Sequence, residues 1–257
     1  MPEYVAPAVF VGEEPAGAVS IEGVPTATTA FIGQAVRGSA RQLASAVEAA
    51  AACPVDPHGL LGCALQLFFA NGGDSAWVAP IARMDAEAVA AALADLPPDI
   101  ALTTLPEAST LIGASYAAVL RALLDDARRL RRLAVIDAPL SADVAEVLRL
   151  RAGFDSSFGA LYWPAVSWAQ CSGGRTPASG AVCGAYALSD RERGVFRSAG
   201  SLLLHSVGTP AEQATSSVLA DLEAAGINVI RTLPGIGVRV SGAHTLSFDR
   251  ELRSLTV

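Results

Sequence analysis

The sequence contains no lysine. Its 18 basic residues are all arginine, set against 25 acidic residues for a net charge of −7. Binding a phosphate backbone needs a concentrated basic surface, so this balance argues against nucleic acid as a main partner. The basic cluster Arg128, Arg129, Arg131 and Arg132 follows Asp125 and Asp126 at helical spacing, and reads as a solvated, salt-bridged helix end. Without lysine there can be no GxxxxGK[ST] phosphate loop. Cysteine is scarce: Cys53, Cys63, Cys171 and Cys183 form no CxxC pair, and His58 does not complete a zinc set with them. Buried, reduced thiols are expected at these positions. No apolar run approaches the roughly 18 residues of a membrane span. The opening MPEYVAPAVF lacks the basic region and apolar stretch of a signal peptide. The expectation is a chain made in the cytoplasm and not inserted in a membrane.

Catalytic signals are missing too. There is no GxSxG nucleophile elbow. Gly235-Ile236-Gly237 lacks the third glycine of a dinucleotide fingerprint and lies too near the end for the required βαβ unit. His205, after Leu202-Leu203-Leu204, reads as a satisfied, partly buried histidine. His244, Asp249 and Ser241 could be assembled on paper into a triad, but triads are defined by geometry, and spacing does not support this one. Asp190-Arg191-Glu192-Arg193 reads as a salt-bridged surface charge patch rather than an acid/base site. No catalytic residue, cofactor or metal site is expected.

What is present is a great deal of apolar sequence: 52% hydrophobic against 17% charged residues. Either partners cover part of the surface, or the chain reflects an alanine- and arginine-rich coding bias. At 257 residues the chain can bury roughly three-quarters of its unfolded surface without metal or disulfide support. Residues 1–28, with Pro2, Pro7, Pro15 and Pro25, read as an extended N-terminal arm and linker containing one strand-forming stretch. Residues 29–257 read as a single body domain.

In that body, strands are expected at 26–33, 76–82, 100–104, 133–136, 158–163, 227–231 and 238–241. Helices are expected at 57–70, from Asp85 to Leu96, at 111–130, and from Ser141 to about Leu150. A helix or extended turn is expected over 177–188. A further helix is expected from the capping box Thr209-Pro210-Ala211-Glu212 to Gly226. This alternation predicts an α/β layered fold, a largely parallel sheet flanked by helices.

Several stretches, in order, resemble the phage tail sheath family of contractile phage tails, tailocins and contractile injection systems. Tyr4, Val5 and Pro7, then Val9, Phe10, Val11, Glu13 and Glu14, resemble its APGVYVEE start. Ile21–Val24 and Thr26–Gly33 are similar to IxGVxTSxxAFVG, and Phe68–Gly73 with Ala76–Val78 to FFxNGGxxxYVV. Arg132–Pro139 resembles RFAxLDxP, and Leu161–Pro164 resembles LYYPW. Pro177–Gly184 through Tyr186 and Asp190–Phe196 is similar to PPSGxVAGxYAxTDxxRGVW. Gly226–Arg231 resembles GINxIR, and Gly242–Leu246 resembles WGARTL, with Ser241 in place of the tryptophan and His244 in place of the arginine.

The resemblance implies a structural subunit, not an enzyme, that polymerises around an inner tube and contracts to drive it through a target envelope. Its implied partners are neighbouring sheath subunits, the inner tube protein and baseplate or cap proteins, assembled into a virion tail or tail-like particle. Tyr4–Glu14 would then be an inter-subunit arm, adding a strand to a neighbour's sheet edge through main-chain hydrogen bonds. Family members continue past Val257, so the chain is expected to lack the family's C-terminal region. Two alternatives remain open: a minor sheath-like cap or terminator, and an α/β hydrolase-like enzyme with no recognisable site.

Overall fold

A computed structural model describes residues 27–35, 38–48, 55–195 and 200–255. A nine-stranded mixed sheet runs through the described residues. Its central strands are β1 (Thr29–Gln34), β3 (Ala76–Ile81), β4 (Leu102–Thr104), β5 (Leu133–Asp137), β6 (Gly159–Trp163) and β10 (Asn228–Leu233). These six lie in the order β3-β1-β4-β5-β6-β10, and every neighbouring pair is parallel. Beside β3, β2 (Arg41–Leu43) is antiparallel. On the other side β11 (Gly237–Ser241) forms an antiparallel hairpin with β10, and β9 (Leu203–Leu204) closes that edge. A separate two-stranded ribbon joins β7 (Val166–Ser167) to β8 (Arg175–Thr176).

Strand alternation sorts the core into two layers. Ala30, Ile32, Ala134, Ile136, Leu161 and Trp163 face one side, where helices α2 (Ala86–Ala94), α3 (Gly113–Leu130), α4 (Val144–Arg151) and α6 (Ser216–Ala225) cover them. Phe31, Val78, Val135, Ala160 and Tyr162 face the other side, under α1 (Leu60–Ala70) and α5 (Ser179–Arg193). On α3 the apolar stripe Tyr116, Leu120, Leu123, Leu124 and Ala127 is buried, and Leu130 at its end is half-buried. Asp85 caps α2, its carboxylate accepting the Ala88 N–H at 2.9 Å.

Three local expectations are corrected. The cap of α4 is Asp143 rather than Ser141, its carboxylate accepting the Glu146 N–H at 2.8 Å. Thr209–Glu212 does not start a helix. The Ser167 hydroxyl donates to the Thr209 carbonyl, the Ala211 N–H reaches the Ala165 carbonyl, and the segment stays extended against β7. Helix α6 starts later, with Thr215 as its cap. Finally, Arg132 is not solvated. It is 2% exposed, and its Nε lies 2.9 Å from the Asp126 carboxylate. Residue Arg131 is in the left-handed conformation that ends α3, and the chain turns Arg132 inward there.

Candidate functional site: the two poles of the sheet

Parallel α/β sheets bind ligands at the carboxyl ends of their strands, where the strand order reverses. Here that reversal lies between β1 and β4. The short 3-10 turn Pro106–Thr110 fills the space beside it, and the Glu107 carboxylate accepts the Gln34 N–H at 2.5 Å. Burial pushes the Glu107 pKa up, while the hydrogen bond from Gln34 pulls it back. Next along, the Tyr116 hydroxyl donates to the Asp137 carbonyl at 2.6 Å, and Trp163 Nε1 donates to the Ala142 carbonyl at 2.9 Å. The Asp137 carboxylate accepts the Ser179 N–H at 2.9 Å and so caps α5 from a distant strand. Burial pushes its pKa up to about 7, against the lowering effect of the hydrogen bonds from Ser179 and Ala178. At this carboxyl pole these groups bond to other parts of the body, while Asp137 Oδ2 and Thr104 Oγ1 have no hydrogen-bond partner among the described residues.

The helix Asp137 caps is held by a close approach. A Cβ on Gly180 would lie 2.2 Å from the Ala64 carbonyl oxygen, and one on Gly184 would lie 2.2 Å from that of Phe68. Helices α1 and α5 therefore meet backbone to backbone, and only glycine fits at these two positions. The asparagines of two other motifs act as clamps. Buried Asn71 accepts the His205 N–H at 2.6 Å and donates to its carbonyl at 2.9 Å, tying α1 to β9. Buried Asn228 does the same to His244, accepting its N–H at 2.8 Å and donating to its carbonyl at 2.9 Å. Segments that stand far apart in the sequence are thus fastened in pairs: NGG to the end of Leu202–His205, GIN to GAHTL, and RLAVIDAP to PASG.

The amino pole is different. The described chain enters here, where the Thr28 carbonyl accepts the Ala101 and Leu102 N–H groups, and it ends here, where the Leu255 N–H reaches the Ala243 carbonyl. A cleft of about 450 Å3 opens between them, lined by Leu102, Arg132, Phe158, Tyr186, Leu252 and Leu255 among others. The buried Arg132 lines it, and its Nη1 has no hydrogen-bond partner among the described residues. Burial pulls the Arg132 pKa down, with Asp126 opposing. Close by, Phe248 is 59% and Leu252 52% exposed. The loop that carries them is held by Arg151, whose Nη1 donates to the Phe154 carbonyl at 2.7 Å and whose guanidinium stacks 4.7 Å over the Phe248 ring.

The residues singled out in the sequence are placed as follows. Tyr4, Val5, Pro7, Val9, Phe10, Val11, Glu13 and Glu14 lie outside the described residues. Asp190, Arg191, Glu192 and Arg193 form the last turn of α5, where Arg191 turns away to the Gly72 carbonyl at 3.1 Å and to Asp74 at 3.8 Å. His205 is exposed rather than partly buried. The Ser241 hydroxyl accepts from Arg231 at 2.5 Å, and the Asp249 carboxylate accepts the Glu251 N–H at 3.0 Å, so both are engaged away from His244. Among the described residues no three His, Cys, Asp or Glu side chains cluster as metal ligands, and no helix is long and apolar enough to cross a membrane.

No family model and no curated protein matches the chain. Solved structures do. The chain is 25% identical to a subunit of the anti-feeding prophage helical sheath in its contracted state, with a TM-score of 0.73, covering 97% of this chain and 70% of that one. It aligns with a chain of the anti-feeding prophage baseplate at 25% identity and a TM-score of 0.72, covering 97% and 71%. The chain is thus similar in sequence and fold to contractile sheath subunits. More distant folds agree. A contracted PVC sheath chain from an extracellular contractile injection system gives a TM-score of 0.71 at 19% identity over 99% and 70%. A sheath tail protein from Listeria innocua gives 0.59 at 7% identity over 88% and 72%. The mostly parallel sheet flanked by helices is thus a fold these sheath chains match, and within it the ordered motifs of this chain form the joints described above.

Proposed function

We propose that this chain is a structural subunit of a contractile sheath, which polymerises around an inner tube and contracts to drive that tube through a target envelope. The observation that carries the proposal is the fold match to sheath subunits over nearly the whole chain. The closed carboxyl pole supports a structural rather than an enzymatic role, because the reversal point that other α/β proteins use for ligands is filled by Glu107 and its turn. Residues 1–28 act as an arm on a body made by 29–257, and Tyr4–Glu14 pairs with a neighbour's sheet edge. Each main-chain hydrogen bond adds only about 0.5–1.5 kcal/mol net, and repetition along the polymer multiplies the link by effective concentration.

The partners are neighbouring subunits, the inner tube protein and baseplate or cap proteins, in a particle built in the bacterial cytoplasm. Subunit contacts use the amino pole of the body, where the chain's two described ends converge beside Phe248 and Leu252. The charge patch Asp190–Arg193 borders that pole and sets the orientation of neighbours. Immunogold labelling of tail-like particles from the producing cells tests the proposal. Regular label along the shaft is expected. Label confined to one end would move the assignment to a cap or terminator, and unlabelled particles would overturn it.

A further inference from the structure

The described chain enters the body beside the cleft of the amino pole. The Thr28 carbonyl accepts the Ala101 and Leu102 N–H groups at 2.9 and 3.1 Å, and the Ala101 carbonyl accepts the Leu133 N–H at 2.8 Å. Thr28, Ala101 and Leu133 thus stand in a row at the starts of β1, β4 and β5, and Arg132 immediately precedes Leu133. Two strand spacings, roughly 10 Å, separate the entry point from the backbone of Arg132. Leu102, Arg132 and Leu133 all line the cleft.

The side chain of Arg132 is fully enclosed, with its Nε 2.9 Å from the Asp126 carboxylate. That carboxylate is shared, because Arg129 Nη2 also donates to it at 2.7 Å. Two guanidiniums therefore meet one carboxylate, and Arg132 Nη1 has no hydrogen-bond partner among the described residues. A buried cationic donor left without a partner is costly, so this part of the cleft selects a carboxylate. Arg131, Asp190 and Glu251 also line the cleft, all of them nearer to solvent than Arg132. Phe158, Leu252 and Leu255 add apolar wall to Leu102 and Leu133. A fitting occupant carries one carboxylate between apolar side chains. We propose that the cleft is a docking site for residues 21–26 of the same chain, with the Glu22 carboxylate on Arg132 Nη1 and Ile21 and Val24 against the apolar walls.

Charge and reach single out this segment. Residues 1–26 carry Glu3, Glu13, Glu14 and Glu22 and no basic side chain, so they complement a spare guanidinium nitrogen. Glu22 is the acidic residue nearest the body. Five extended residues, from Glu22 to Ala27, span at most about 17 Å, which covers the two strand spacings to Arg132. Effective concentration falls as a tether lengthens, so Glu22 outcompetes Glu13 and Glu14 for the cleft. Docked there, the segment leaves the exposed ring of Phe248 free for neighbours. The contact lies within one chain and holds whatever that chain's role in a sheath.

The absence of lysine makes a direct test possible. In the full chain, Arg132→Lys keeps a positive charge beside Asp126 and introduces the sole side-chain amine. The folded variant is treated with a carbodiimide, which joins an amine to a carboxylate in contact with it, and is then mapped by peptide mass. A link between positions 132 and 22 of one chain is expected, with a yield that does not change on dilution. A link only to Asp126, to Glu13 or Glu14, or to another chain would overturn the proposal. A second measurement leaves Arg132 in place and decides alone if Arg132→Lys does not fold. Glu22→Gln should lower the melting temperature by about 2–4 °C, while the double variant Glu13→Gln/Glu14→Gln should melt like the parent. An unchanged melting temperature for Glu22→Gln, or an equal fall in the double variant, would likewise contradict the proposal.

Discussion

The carboxyl and amino poles of one sheet have been put to opposite uses. At the carboxyl pole Glu107, Asp137, Tyr116 and Trp163 each bond to another part of the body. At the amino pole a cleft stays open, buried Arg132 has a nitrogen with no partner among the described residues, and apolar side chains reach solvent. The proposed function assigns the second pole to contacts with neighbouring subunits.

The sharpest way to break this contrast is to part α1 from α5. Gly180→Ala places a Cβ against the Ala64 carbonyl, where no side chain can move aside. The cost should exceed about 3 kcal/mol, seen as a large fall in the urea midpoint or loss of soluble protein. Gly184→Ala should behave alike, since its Cβ meets Phe68 in the same way. The asparagine clamps come next. Asn228→Ala removes two buried hydrogen bonds and leaves backbone groups unpaired, at about 2–3 kcal/mol. Asn71→Ala should cost less, because the His205 segment is exposed and water can replace the lost partner.

Asp137 gives a pH signature to the carboxyl pole. Its folded pKa, pushed up to about 7, stands above the ordinary carboxylate value, so the folded chain holds this proton more tightly than the unfolded one. Its contribution is complete below about pH 4 and is lost as pH rises through about 7. Asp137→Asn keeps an acceptor for the Ser179 N–H and should flatten that part of the curve, leaving the pH 8 variant at least as stable as the parent. Asp137→Ala should be less stable at every pH. Thermal melts from pH 4 to 8 give both results. The smallest effect on folding belongs to the amino pole. Leu252→Ser should change stability by less than about 0.5 kcal/mol yet reduce incorporation into particles.

Much of the fold could be read from the sequence because it depends on local signals. The stripe on α3, the Asp85 cap and the apolar strands all report their own neighbourhoods. The joints were less readable. Asp137 caps a helix 42 residues away, and Asn71 grips a segment 134 residues away, so neither partner can be found by periodicity. The order of the motifs showed that they belonged together, and the structure supplied the reason. Where a local signal failed, as at Thr209–Glu212, an extended pairing with β7 outweighed a capping box. Arg132 looked solvated because spacing alone cannot show that a left-handed residue at 131 turns the next side chain inward.

The central claim is that the amino pole is covered in the assembly and the carboxyl pole is not. Amide hydrogen exchange on the chain alone and within isolated sheaths tests it most directly. The account predicts new protection over 242–255 and 131–133, with little change over 105–110 and 163–165. Protection concentrated at the carboxyl pole, with 242–255 unchanged, would contradict it.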